Sequence, residues 1–439
     1  MNRTAPSAAP ASAVSPAVLA ARTAVAVVFT LNGLAVATWF SRVPAVRDAL
    51  GLSAGRLGLL LLAMSVGSLL AMPTAGLVAQ RLGTARTVAL GSAFVATGLA
   101  VAGVATAAGL LPGVAVGLCA FGYGSGICDV AMNVEGAVVE RRLGRTIMPR
   151  FHAAWSLGSV AGAGLGAGAA RLGVPVAAHL AALAVVVLLG TLLAVRSFLP
   201  AAEGGTSSAS AAPAERRRDL LAAWREPRTL LVGLLVLVAA FAEGSANDWL
   251  AVAFIDGYDL SEAAGAAVFG VFVVGMTLGR TVGTVALDRW GRVPVLSGTI
   301  LLATLGAGVA VLAGSGPVAI AGVALWGIGA SLGFPVGMSA AADDEQRAPA
   351  RVSVVAVIGY TAFLAGPPLL GLLGDRVGTL HALLVVPLLL LPTLALVPAT
   401  RPPRHPAVPS TGSPPLPPTG GPVDREPTAG HPGGQPPGR

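Results

Sequence analysis

The sequence contains no lysine: all 28 of its basic residues are arginine. That excludes the phosphate-gripping lysine of a P-loop and any lysine Schiff base, and with them ATP-driven pumping by this chain alone. Charge is scarce, at 11% of residues, where soluble globular chains carry about 25%. The two cysteines, Cys119 and Cys128, lie nine residues apart on one expected helix. They are separated by roughly 13 Å along its axis and sit on opposite faces, so neither a disulfide framework nor a CxxC metal site exists. There is no HExxH and no His/Asp cluster with metal spacing. No enzymatic centre, metal or cofactor is therefore expected. What is abundant is apolar: 54% of residues are hydrophobic and the mean hydropathy is +0.78. Such a chain belongs in a lipid bilayer. The net charge of +8 does not indicate nucleic acid, because the arginines are scattered between apolar runs instead of forming one basic face.

A bilayer core of about 30 Å needs roughly 20 apolar residues per helix, and twelve such runs lie between Arg22 and Pro398. The expected fold is all-α, with twelve transmembrane helices in two pseudo-symmetric six-helix bundles. Residues 1–21 read as a disordered cytosolic arm without a signal peptide, 22–196 as the first bundle, 197–228 as a cytosolic loop between bundles and 229–398 as the second bundle. Residues 399–439 are a Pro/Gly-rich tail that cannot bury enough apolar surface to fold, and it too is expected in the cytosol. With the amino terminus inside, 22 arginines fall on inner segments and 5 on outer loops, and Arg280 is intramembrane. That asymmetry predicts a multi-pass protein of the cell membrane with both termini cytoplasmic. The halves also repeat. Ser53, Gly67 and Gly83 recur as Ser261, Gly275 and Gly291, each at an offset of 208, as in duplicated carriers that rock about a central site.

The sharpest motif lies between the second and third helices, from Gly76 through Gln80, Arg81 and Gly83 to Arg86, and returns between the eighth and ninth as Asp288, Arg289, Trp290, Gly291 and Arg292. It resembles the cytoplasmic loop signature of the major facilitator superfamily, one copy per half. The resemblance implies a loop that latches the inward gate. Its glycine permits a turn with positive φ, and its acid pairs with an arginine or a helix end. Gln80 stands where the first copy should carry the acid, which leaves the latch mainly to Asp288. Ser41-Arg42-Val43-Pro44, the run from Ala131 to Gly136, the run from Met148 to Gly158 and Gly333-Phe334-Pro335 are similar to the MosC/YbjJ-type branch of that superfamily, allied to the fucose permease group of sugar–proton symporters. In those permeases an acid and an asparagine on the fourth helix serve coupling or substrate, which points to Asp129 and Asn133. Their first-helix acid has no counterpart between Arg22 and Phe40.

Without the family, the polar residues inside the membrane carry the argument. A charge at mid-bilayer costs at least about 2.5 kcal/mol on insertion scales, so ionisable groups retained there mark function. Glu243, about fourteen residues into the seventh helix, is the deepest, and Asn247 shares its face four residues on. A carboxyl in that position suits proton exchange. Asp248 beside them is read as solvated near the outer interface. Asp129 sits in the inner half of the fourth helix, and His152 at the start of the fifth is placed to pair with it or to fix structure. Asn32 is mid-membrane, suited either to a polar solute or to an interhelical hydrogen bond. Trp155 stacks on a sugar ring or fills core, and Arg280 pairs with an acid or a gate carbonyl. Glycines 158, 162, 164, 166 and 168 are expected to bring the fifth helix close to a neighbour. Pro367 and Pro368 are expected to kink or unwind the eleventh.

Together these residues predict a secondary transporter of a small polar solute, sugar-like or a related metabolite, driven by protons through alternating access, monomeric and with no nucleic-acid partner. Proton-coupled efflux of an amphipathic compound is the rival within transport. A non-transporting sensor or scaffold acting through the Pro-rich tail is the rival outside it.

Overall fold

The computed structural model describes residues 15–144, 147–200, 213–344 and 347–402, and the tail beyond Pro402 lies outside them. These residues are almost wholly helical. The chain runs α1 (Pro16–Ala49), α2 (Ala54–Ala107), α3 (Leu111–Leu143), α4 (Met148–Arg171), α5 (Val176–Ala194), α6 (Pro213–Ala223), α7 (Pro227–Tyr258), α8 (Glu262–Trp290) and α9 (Arg292–Leu312). It continues through α10 (Gly316–Ala330), α11 (Gly333–Ala341), α12 (Ala348–Val377), α13 (Thr379–Ala382) and α14 (Val385–Thr393). Among the described residues ten helices are long and apolar enough to cross a membrane. One of them, α2, has 54 residues, about 80 Å of helix and more than two bilayer cores. It turns at Gly83 (φ 77°, ψ 164°) and so makes two passes. α4 supplies the remaining pass; its stripe of Gly, Ser and Ala keeps its hydropathy low. The tenth pass is broken into α10 and α11, and the twelfth is assembled from α13, α14 and a 3-10 turn over Leu394–Thr400.

Three expectations change. The first helix starts at Pro16, with the Ser15 hydroxyl accepting from the Ala17 amide (3.2 Å), so the expected arm loses its last residues to α1. The connection between bundles contains its own short helix, α6. α12 is not unwound at Pro367 and Pro368, the second of the two outcomes expected there. The prolines remove two amide donors there, but tight packing holds the helix: α2 lays Gly58 against the Pro367 carbonyl, where a Cβ would have no room.

The duplication is visible in the backbone. Ser53 caps α2 and Ser261 caps α8 at matching φ of −66°, and Gly291 (φ 78°, ψ 174°) repeats the bend at Gly83. Side chains L-residues carry are strained at such φ, which is why both bends are glycine. In the first bundle α4 packs on α1 through Gly158, Gly162 and Gly166, whose absent Cβ atoms would strike Thr30, Leu34 and Ser41. Gly164 and Gly168 face open space, so close approach uses three of the five glycines.

Candidate functional site

The two bundles meet along α1–α7, α1–α8, α2–α12 and α4–α8. At one end they are locked. Arg47 of α1 grips Asp256 of α7 with both terminal nitrogens (2.6 and 2.8 Å), and Thr379 donates to the same carboxylate (2.9 Å). Arg42, 2% exposed, lies 3.2 Å from Glu262 of α8. That contact is off-line for a hydrogen bond, and Arg42 instead donates to the Val174 carbonyl (2.9 Å). Ser53 donates to Asp375 (3.2 Å), tying α2 to α12. None of these locking pairs was singled out from the sequence, because each joins residues hundreds of positions apart.

At the opposite end, where both repeated glycine bends lie, Gly76, Gln80, Arg81, Arg86, Asp288 and Arg289 are exposed. Asp288 has no partner among the described residues, so the expected latch is not made in this conformation. Arg289 lies over the Trp290 ring (5.7 Å). Arg292 reaches back to Asp343 (2.7 Å) and Ser339 (3.1 Å). In the other half Thr84 donates to Glu135 (2.5 Å). Thr84 and Arg292, like Glu135 and Asp343, stand at the same offset of 208. The acids that hold each bend are therefore duplicated partners, Glu135 on α3 and Asp343 just past the end of α11, a signal the sequence carried and the motif obscured.

Between the locked and the open ends lies a cleft lined by Phe40 of α1, Trp155 of α4, Glu243 and Asn247 of α7, and Thr277 and Arg280 of α8. Helical spacing explains the grouping: Glu243 and Asn247 are one turn apart on α7. Arg280 and Glu243 form an ion pair (3.2 Å), and the Arg280 guanidinium sits 6.0 Å from the Trp155 ring. Of the two partners expected for Arg280, an acid or a gate carbonyl, the structure gives the acid, and Arg280 lines the cleft instead of the loop gate. Both charges are partly open, with side chains 31% and 19% exposed. A guanidinium over an aromatic face next to a carboxylate offers charge, donors and a flat apolar surface to one small ligand.

The remaining candidates form a second polar stripe. Ser125, Asp129 and Asn133 recur every four residues on α3; Ser125 donates to Asn32 (3.2 Å), and Asn133 donates to the Asp129 carbonyl and carboxylate (2.7 and 3.2 Å). His152 does not pair with Asp129. Its ring meets Phe29 edge-on at 5.3 Å, because α4 turns that position toward α1.

A helical bundle pair with a charged cleft between its halves matches what comparison with known proteins finds. The model of the Major Facilitator Superfamily matches residues 25–343 and 249–428. An uncharacterised MFS-type transporter of Yersinia pestis is 32% identical over 84% of this chain and 92% of its own length. The membrane protein MosC of Rhizobium meliloti is 29% identical over 83% and 86%. Among solved structures, a mutant of the nucleoside transporter NupG superposes with a TM-score of 0.71 at 13% identity, covering 87% of this chain and 99% of that one. The fucose:proton symporter FucP of E. coli superposes at 0.60 and 17% identity, over 87% and 98%. At such identities these structures speak for the fold alone. The chain belongs to the major facilitator superfamily and is a multi-pass membrane transporter of that family.

Proposed function

We propose that this transporter moves a small polar solute, sugar-like or a related metabolite, against its gradient by coupling to protons, through alternating access of the central cleft. The observation that carries the reading is the Glu243–Arg280 pair beside Trp155 and Asn247, deep in a cleft locked at one end by inter-bundle pairs. An ion pair retained at that depth costs desolvation unless the site uses it. Partial exposure leaves the pair free to open toward a ligand group. Asp129 with Asn133 is the second candidate acid, and Asn32 and Trp155 are candidate solute contacts. One charge crossing at 100 mV supplies about 2.3 kcal/mol, or about fifty-fold accumulation. The arginine-rich side carries the open end, so the open cleft faces the cytoplasm of the cell membrane, with both termini on that side. The fucose:proton symporter FucP and the nucleoside transporter NupG, which share the fold, set the range of solutes to try.

The test is solute-induced pH change in proteoliposomes across sugars, polyols, nucleosides and amphipathic drugs. Wild type is expected to move protons with one hydrophilic class. Glu243→Gln and Asp129→Asn are expected to lower coupled flux at least tenfold. Full coupled flux in both variants would remove these acids from the mechanism. Proton movement only with amphipathic drugs would favour efflux, a reading the aromatic wall of Phe40 and Phe269 (6.1 Å) makes worth including.

A further inference from the structure

Asp248 stands five residues beyond Glu243 on α7 and is half-buried. Unlike every other intramembrane acid discussed above, it accepts no hydrogen bond and joins no ion pair among the described residues. Phe241, Gly244 and Asp248 recur at spacings of three and four and so share one helix face. Gly244 abuts the Phe363 ring and Phe241 abuts Gly366, both on α12. Asp248 therefore continues the face turned toward the Gly366–Pro367–Pro368 segment, not toward open water at a helix end.

The charged and titratable groups on the elements packed against α7 are otherwise engaged or remote. Glu226 at the head of α7 holds Arg351 of α12. On α12, Asp375 accepts from Ser53, and Tyr360 and Arg376 make no bond to Asp248. On α8, Glu262 faces Arg42 and Arg280 pairs with Glu243. On α1, Arg47 is held by Asp256 and Asp48. His381 of α13 is exposed, and α10, α11 and α14 contribute no charged residue.

An isolated carboxylate inside a low-dielectric bundle is costly, and with no cation at hand a bound proton is the partner left to it. Eight residues further along α7 lies Asp256, the acid of the Arg47 lock, about 12 Å away. Asp248 is thus half-buried beneath the closed gate, on the helix that gate must move.

We infer that Asp248 is the proton-carrying group of the transport cycle, taking a proton from water on the locked side when that gate parts and returning it to water on the other. The inference rests on the proton-coupled reading above and deepens it. In it Glu243 and Arg280 bind and position the solute while Asp248 carries the charge. The balance is simple: one carboxylate oxygen gains a proton on one side and loses it on the other, with no other bond made or broken.

Infrared titration of the purified protein in lipid nanodiscs reads this directly, with the proton as the probe. Wild type is expected to show a titrating carboxylic-acid C=O band that Asp248→Asn loses and Glu243→Gln keeps. An unchanged band in Asp248→Asn overturns the inference. Should Asp248→Asn fail to fold by circular dichroism, Asp248→Glu must shift the band, and an unshifted band is equally fatal. Flux of protons driven by L-fucose, myo-inositol and uridine in proteoliposomes separates the two levels. Undiminished proton movement in Asp248→Asn sinks this inference alone, whereas none in wild type sinks the coupled reading with it.

Discussion

The Glu243–Arg280 pair and the lone Asp248 sit less than two turns apart on or against the same helix, yet their surroundings differ entirely. A half-open ion pair tolerates loss of both members better than loss of one, since a single change leaves an uncompensated charge. Glu243→Gln and Arg280→Gln should each lower the thermal midpoint, and the double variant should recover part of the loss. A double-mutant cycle should give a coupling of about 0.5–3 kcal/mol, and strict additivity would show that the contact is not made. A second acid gives a pH signature. Burial alone would push the Glu226 carboxyl up, but hydrogen bonds from Arg351 (2.6 and 2.7 Å) and Thr229 (2.8 Å), with the Arg351 charge, outweigh it and hold the group below its ordinary value. A depressed carboxyl adds stability that is complete above its unfolded value and fades as pH falls through the folded one. Thermal stability should therefore decline in acid below the ordinary glutamate range. Glu226→Gln should flatten that part of the profile, as melting curves across pH would show.

At the scale of elements, glycine decides which surfaces touch. Gly162 lies under the Leu34 carbonyl while Gly164 faces open space, so their substitution should differ sharply. Gly162→Leu should cost about 1–3 kcal/mol or more by forcing α4 off α1, and Gly164→Leu should be close to neutral, both read by thermal unfolding in detergent. The bends at Gly83 and Gly291 rest on conformation instead of space, since neither has a neighbour within 4 Å. Gly291→Ala should cost about 1–3 kcal/mol, because φ 78° with ψ 174° is backbone that essentially only glycine adopts. The glycine stripe and the bends were legible in the sequence because small residues and turns leave local signatures. The break between α10 and α11 and the continuity of α12 through its prolines were not, since both depend on what lies alongside.

At the scale of the whole molecule, Arg47–Asp256, Arg42–Glu262 and Ser53–Asp375 hold the locked end closed, and in the proposed cycle this end must part. Arg47→Ala removes two charge-assisted hydrogen bonds across the bundles, and each 1.4 kcal/mol so lost is a tenfold shift toward the other state. A thiol introduced by Leu60→Cys, with Cys119 and Cys128 changed to serine, is buried beneath this end. Its labelling by a membrane-impermeant maleimide should rise at least tenfold in the Arg47→Ala background. No change would mean the lock does not hold this state.

Twelve passes, two halves at an offset of 208 and a glycine at each bend follow from residue composition and spacing, because bilayer thickness and helical period act on a chain locally and leave few alternatives. The tertiary structure alone decided that Arg280 meets Glu243, that His152 turns from Asp129 to Phe29, that Arg47 finds Asp256, and that Asp248 is left without a partner. Those outcomes depend on which helix faces which across the bundle, and no local preference encodes a meeting between residues so distant along the chain.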